Sequence, residues 1–363
     1  MDFIFSEDQY LFRDSIEKLL KTEVTTASIR ARWESSTGFD ESLWDKLREM
    51  GLPGMLCSPA IGGLGMVPAD FILIAEECGR VALPEPLIEC SFVAVPLLMD
   101  LYDLTASPTC LSVLERVQRE STVVLIADEQ NPYLNFASRA DAVILESGGD
   151  IYLVDGERIV DKSFHSLDPS RRLSSLARDV AEQDKVLLAS DAGALWASAV
   201  NRGVVGTAAE LLGLAQGLLK AAVLYSCERH QFQRPVGSNQ ALKHMLADCL
   251  VKIEFARPVV YSAAAMLGSM GPKTSAVASH AKVAAGEAAL DVARAAIQVH
   301  GAMGYTWECD AQIWFKRIWA LDKAWGDERL HKKRLSGLLK NGSVAAGAGA
   351  TFEALPAETG RAA

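Results

Sequence analysis

The chain is short of several things that would point to particular chemistries. Its seven cysteines (Cys57, Cys78, Cys90, Cys110, Cys227, Cys249 and Cys309) are odd in number and scattered, with no CxxC pair, so neither a disulfide framework nor a zinc site is expected. The six histidines form no HxxxH or HxxE pair, which argues against a metal centre. Positive charge is in deficit: 36 Lys and Arg stand against 46 Asp and Glu, a net −10, so no basic face for nucleic acid is expected. Long apolar runs are absent as well. The longest, around Leu87–Met99, is interrupted by Glu89 and Pro96 and is too short to cross a bilayer. The opening MDFIFSEDQY is acidic and lacks the basic and apolar regions of a signal peptide, so a reducing cytoplasm is the expected compartment.

What is present is enough apolar material for a large core, 50% of 363 residues. That length exceeds a single core and implies two or three domains. Helical spacing dominates the first third. Ser6-x-x-Gln9 resembles a capping box ahead of Leu11, Phe12, Ile16, Leu19 and Leu20. A second helix is expected over Glu41–Met50, ending at Gly51, and a third over Phe71–Val81, before a break at LPEP. From about 121 to 190 the chain changes to short β-branched or alternating runs separated by turn residues (STVVLIAD, ADAVILES, DIYLVDGERIV, KVLLASD), the pattern of strands. Beyond Ala192 long Ala- and Leu-rich helices resume. Pro258 is expected to kink or end one of them, and another is expected from Trp307 to about Leu339.

These boundaries predict a mainly α protein with a small β domain. They give an N-terminal helical domain (1–115), a shortened middle β domain (116–190), a C-terminal helical bundle (191–341) and a disordered tail (342–363). Several tempting signals carry nothing. GSMGPKTS fails the phosphate-loop spacing, and Gly62-Gly63-Leu64-Gly65 follows no strand. Glu76-Glu77 is expected to be a solvated helix face, and Asp168-Pro169-Ser170-Arg171-Arg172 a turn.

Two segments stand out, CERHQFQRPVG (227–237) and QVHGAMG (298–304). Each alone is explained by helix capping. Each also offers what an anion needs: a guanidinium, side-chain amides, and glycines that bare the backbone N–H. Taken together, Arg-x-x-Phe-x-Arg-Pro-Val-Gly…Gln followed some sixty residues later by Gln-x-x-Gly-Ala-x-Gly resembles the acyl-CoA dehydrogenase family. GGLG, AEECGR before LPEP, and LDPSRRL extend the resemblance over residues 1–340. HGAMGYTWECDAQIWFKR is similar to the actinobacterial members in particular. The resemblance implies FAD as cofactor, with Arg229, Gln231, Phe232, Gln240, Gln298, Gly301 and Ala302 contacting it from a neighbouring subunit. It also implies an acyl-CoA thioester as substrate and an electron-transfer flavoprotein as acceptor. The chain departs from the family pattern at Gln233 and Ala302, where glycines are usual.

The resemblance also shows what is missing. The family's catalytic glutamate falls in one of two positions, which map to Gly326, nine residues after Arg317, and near Gly203. Neither is an acid. Asp327 is one residue beyond, about 100° around a helix, and is the candidate base if the chain is a self-sufficient homotetramer. The Gly-x-Lys-x-(Trp/Phe)-(Ile/Val)-(Thr/Ser) tract that walls the flavin is absent too, with no tryptophan between Trp44 and Trp196. A chain that keeps the parts serving a neighbour's FAD and lacks those serving its own resembles one subunit of the α2β2 acyl-CoA dehydrogenases, some of which act on steroid side chains. A degenerate scaffold with no FAD role is the remaining alternative.

Overall fold

A computed structural model describes residues 5–127, 133–158, 160–176, 181–345 and 347. The expected tail (342–363) lies largely outside these residues. The N-terminal helices are α1 (Glu7–Glu23), α2 (Thr26–Glu34), α3 (Glu41–Glu49), α4 (Pro68–Arg80), α5 (Val95–Thr105) and α6 (Pro108–Arg119). The capping box forms as expected, with Ser6 Oγ accepting from Gln9 N at 3.2 Å and Gln9 Oε1 accepting from Ser6 N at 2.6 Å. The break at LPEP leads into a π-helical turn, Ile88–Ala94, before α5.

The strands are β1 (Val124–Ala127), β2 (Leu134–Asn135), β3 (Ala142–Ser147), β4 (Asp150–Asp155), β5 (Val160–Phe164), β6 (Leu173–Leu176) and β7 (Lys185–Leu187). They make two small sheets, β1-β3-β4-β7 and β2-β6-β5, in which only the β1–β3 pair is parallel. Arg172 ties the second sheet to the N-terminal helices by donating to the carbonyls of Arg32, Trp33 and Ser35.

The C-terminal half begins with α7 (Ala189–Glu228). A hairpin of β8 (His230–Gln231) and β9 (Arg234–Pro235) follows, then α8 (Gln240–Met266), α9 (Pro272–His300), α10 (Ala311–Lys323) and α11 (Glu328–Lys340). α7 is long and apolar enough to cross a membrane by length and composition, but 67% of its apolar window is buried in the fold, as in the central helix of a bundle. Its contact with α4 is backbone to backbone. A Cβ on Gly79 would lie 2.1 Å from Glu210 O, and one on Gly213 would lie 1.9 Å from Glu76 O.

Four expectations need correction. α8 continues through Pro258. The proline is exposed, so the carbonyl that loses its donor meets water, while buried Ile253, Ala256 and Val260 hold both halves in the core. The helix expected from Trp307 to Leu339 is two helices, parted at Trp325 and Gly326, which have φ of 58° and 98°. Glu76 and Glu77 are buried, not solvated. Glu76 Oε2 accepts from Arg257 at 2.9 Å and Gln216 at 3.2 Å, joining α4 to α7 and α8. Asp168 is more than a turn residue, since it is buried and ion-paired to Arg317 Nε at 2.9 Å, which docks the bundle onto the β domain.

Candidate functional site

The two marked segments meet at one end of the bundle. Arg229 ends α7 as its C-cap, and it does so through the backbone, whose N–H donates to Tyr225 O at 2.9 Å. Its side chain is exposed and makes no hydrogen bond or ion pair among the described residues. One turn earlier, the Tyr225 ring stacks on His300 at 4.3 Å between centroids, and its hydroxyl donates to His300 O at 3.5 Å. His300 directly precedes Gly301. This stack therefore clips the end of α7 to the end of α9.

Beyond Arg229 the chain turns sharply through Phe232 and Gln233, with φ of 52° and 64°. Two consecutive left-handed residues make the tight hairpin whose twist suits antiparallel strands. Side chains with a Cβ resist that conformation, which explains why glycine is usual at 233. Phe232 stands 95% exposed at the tip. Gln233→Gly is expected to stabilise the chain by about 0.5–1 kcal/mol, read from the urea midpoint at unchanged slope.

The second segment presents Gln298, Gly301 and Ala302 at the surface. Gly301 has φ 58° and ψ −137°, and its N–H bonds back to Gln298 O and Ile297 O. The turn thus needs the glycine, and Ala302 follows it at a position that tolerates a side chain. Gln240, exposed at the first position of α8, completes the set. Arg229, Gln231, Phe232, Gln240, Gln298, Gly301 and Ala302 are all exposed. An unpaired guanidinium, free side-chain amides and a glycine turn suit a pyrophosphate, but they form an open surface. Two ligand-sized cavities, of about 470 and 520 Å³, are lined by other residues. The helices that carry this surface also expose Val223, Leu224, Leu250, Val251 and Phe255, large apolar side chains of the kind found at interfaces.

The two positions for a base lie elsewhere, one packed against Trp325 and the other next to it in the chain. A Cβ on Gly203 would lie 2.5 Å from the Trp325 ring, which is 3% exposed. A Cβ on Gly326 would lie 2.9 Å from Leu330 and 3.1 Å from His331 Nε2. The turn is held from beneath. Buried Lys282 Nζ donates to Asp322 O at 2.8 Å and Gly326 O at 3.2 Å, and burial lowers its pKa to about 8. His331 Nε2 donates to Trp325 O at 3.0 Å and Nδ1 accepts from Ser279 Oγ at 3.1 Å. Burial lowers its pKa to about 4 and keeps it neutral. Asp327 caps α11, its Oδ1 accepting from Leu330 N at 2.9 Å. That hydrogen bond lowers its pKa, the opposite of the tuning a carboxylate base needs.

A charged cluster missed in the sequence lies under the β domain. Glu210 and Arg317 are buried, with 3.9 Å between Oε1 and NH1, and Arg32 Nε lies 3.3 Å from Glu85 Oε1. Glu85, Glu89, Asn135, Glu210 and Arg317 enclose about 10 Å³, room for about one water. Burial raises Glu85 to about 7 and Glu210 to about 8. The lone acid in the stripe Ala208, Ala209, Leu211, Leu212 was the signal that could have found Glu210. A carboxyl whose folded pKa is raised contributes stability that is present below its unfolded value and lost as pH rises through the folded value. The opposing contributions of His331 (between about pH 4 and 6.5) and Lys282 (above about pH 8) reach only the edges of the window from pH 6.5 to 8. The melting temperature is therefore expected to fall between pH 6.5 and 8, and to fall less in Glu210→Gln.

Comparison with known proteins agrees with this architecture. Residues 6–100 match the acyl-CoA dehydrogenase N-terminal domain and residues 194–334 the acyl-CoA dehydrogenase C-terminal domain. Acyl-CoA dehydrogenase IpdE2 of Mycobacterium tuberculosis is 32% identical over 312 residues, 86% of this chain and 91% of the relative. IpdE2 of Mycolicibacterium smegmatis is 30% identical over 331 residues, 91% of this chain and 98% of the relative. Among solved structures, the Tcur3481–Tcur3483 steroid dehydrogenase G363A variant superposes with a TM-score of 0.80 at 22% identity, covering 93% of this chain and 99% of that one. The ChsE4–ChsE5 complex of Mycobacterium tuberculosis gives 0.81 at 18% identity, covering 94% and 99%.

Proposed function

Because the chain belongs to the acyl-CoA dehydrogenase family, oxidoreductases acting on CH–CH bonds, we propose that it is the subunit of an α2β2 enzyme that completes its partner's FAD site and supplies no base. The observation that carries this is Trp325, whose indole lies against Gly203 beside Gly326, the two positions where the family resemblance puts the glutamate. Neither position holds a carboxylate, and at Gly203 the ring occupies the space into which a side chain would extend.

Bound FAD supplies the hydride acceptor for α,β-desaturation of an acyl-CoA thioester. This chain's part is binding and enclosure. The Arg229 guanidinium meets the pyrophosphate, the amides of Gln231, Gln240 and Gln298 offer hydrogen bonds, and Gly301 and Ala302 let the backbone come close. Phe232, fully exposed on its strained hairpin, enters the partner and excludes water. The apolar face from Val223 to Phe255 is buried in the same contact. The partner supplies the base and the flavin wall. The two-component steroid dehydrogenase among the structural neighbours supports a steroid-type CoA thioester, and the family resemblance adds an electron-transfer flavoprotein acceptor and a cytoplasmic setting to the same reading.

The test is the visible absorbance of the chain purified alone, with flavin counted per polypeptide. The expected result is a colourless or aggregating protein that becomes soluble and yellow on co-expression with a second subunit, at about one FAD per two chains. One FAD per chain in the isolated protein would overturn the reading and return attention to Asp327, where Asp327→Asn kinetics would follow.

A further inference from the structure

A second place in the bundle is built for a ligand that neither FAD nor the acyl site explains. A cavity of about 470 Å³ opens between the start of α7 (Ala194, Ala197, Ser198, Asn201), the loop Ser269–Pro272 with Ser275 of α9, and Arg334 and Leu338 of α11. That volume is in the range of small-molecule sites. It faces away from the blocked base position, because Asn201 and Gly203 are two residues apart on α7 and so about 200° apart around the helix.

The charges in this cavity do not cancel. Arg334 NH2 donates to Asn201 Oδ1 at 3.1 Å, and Asn201 Nδ2 in turn donates to Ser275 Oγ at 3.2 Å. Among the described residues no carboxylate pairs with Arg334. Burial alone pulls its pKa down, without an acid to offset it. Arg202, Arg257 and Arg317 differ, each paired with a carboxylate: Asp100, Glu76 and Asp168 respectively. The 29-residue α9 also begins here, at Gly271 and Pro272, with no side-chain cap and no acid in its first turn. Its positive end therefore adds to the same unbalanced potential. Ala194, Ala197, Met270 and Leu338 make the remaining wall apolar.

We propose that this cavity binds a small amphipathic anion. Its acidic head, a carboxylate or phosphate monoester, sits on Arg334 and the first turn of α9, and its apolar body lies against Ala194, Ala197, Met270 and Leu338. The head supplies the missing counter-charge to Arg334, and the apolar wall selects against inorganic ions.

Calorimetric titration of the full chain, in complex with its partner subunit where that is needed for solubility, tests this with octanoate, octyl phosphate, inorganic phosphate and octanol. The heat of binding depends on neither flavin content nor turnover. Saturable binding of octanoate or octyl phosphate at one site per chain is expected, the tighter one identifying the head. Octanol and inorganic phosphate should bind at least about tenfold more weakly, the scale of one charge-assisted hydrogen bond. Arg334→Gln should cost about tenfold or more by the same measure. Leu338→Asp, which sets a carboxylate opposite an intact Arg334, should do likewise and keeps the test open if Arg334→Gln fails to fold. No saturable binding of either octyl anion to the unaltered protein at millimolar concentration, or unchanged affinity in Leu338→Asp, overturns the proposal.

Discussion

Arg229→Ala in the assembled two-subunit enzyme is expected to weaken FAD binding about 10- to 150-fold, the equivalent of ~1.5–3 kcal/mol for a charge-assisted hydrogen bond to a phosphate. The melting temperature of the flavin-free protein should not move. That second half separates recognition from scaffolding. The helix end is capped by the Arg229 backbone N–H, which alanine keeps, and the guanidinium touches nothing else among the described residues, so its removal leaves no buried partner unsatisfied. Arg229→Lys should recover part of the loss, because a lysine restores charge but not the planar fork. Flavin fluorescence on titrating FAD into the apo-complex measures it. Equal affinity in Arg229→Ala and the unaltered complex would mean that the arm never reaches the cofactor, and the scaffold reading would take over.

What the sequence could and could not foresee follows from where each feature is determined. The arm was legible because its chemistry is local. An arginine at a helix end, a hairpin of a few residues and a glycine turn are specified by adjacent positions, and the packing of α7 on α9 brings them together, with Tyr225 stacked on His300 at their ends. The acid-free base positions were legible as absences. What fills them was not, since the contact of Trp325 with Gly203 joins residues more than a hundred positions apart. The buried charges were misjudged for the same reason. Glu76 looks solvated beside Glu77 until Arg257 and Gln216, from two other helices, are seen to reach its carboxylate. Asp168 looks like a turn residue until Arg317 arrives from the bundle. Burial of a charge is decided by its partner, and partners here come from distant elements. The continuity of α8 through Pro258 and the break at Trp325 reverse the local propensities in both directions. In each case packing outweighed the intrinsic preference of the residue.

Gly203→Ala is expected to destabilise the protein by about 1–3 kcal/mol, the cost of forcing extra volume into a packed core, although alanine favours helix over glycine by roughly 1 kcal/mol. The reason is the ring 2.5 Å from where the new methyl would sit. That ring has little freedom to retreat, because Trp325 is 3% exposed, its carbonyl is held by His331 and its turn by Lys282. Trp325→Ala alone should cost about 3–5 kcal/mol by leaving a cavity. The double variant should cost less than the sum of the two, since the methyl then enters space the indole has left, and a coupling of about 1 kcal/mol or more is expected for residues in direct contact. Urea unfolding of the four proteins closes the cycle. The functional consequence is read separately. Gly203→Glu should confer no desaturase activity on this chain while Trp325 remains, because a restored carboxylate there would face the indole rather than an acyl α-carbon. If Gly203→Ala is neutral, or if Gly203→Glu alone turns over acyl-CoA with this chain's own flavin, the ring does not close the site and the division of labour between the subunits fails with it.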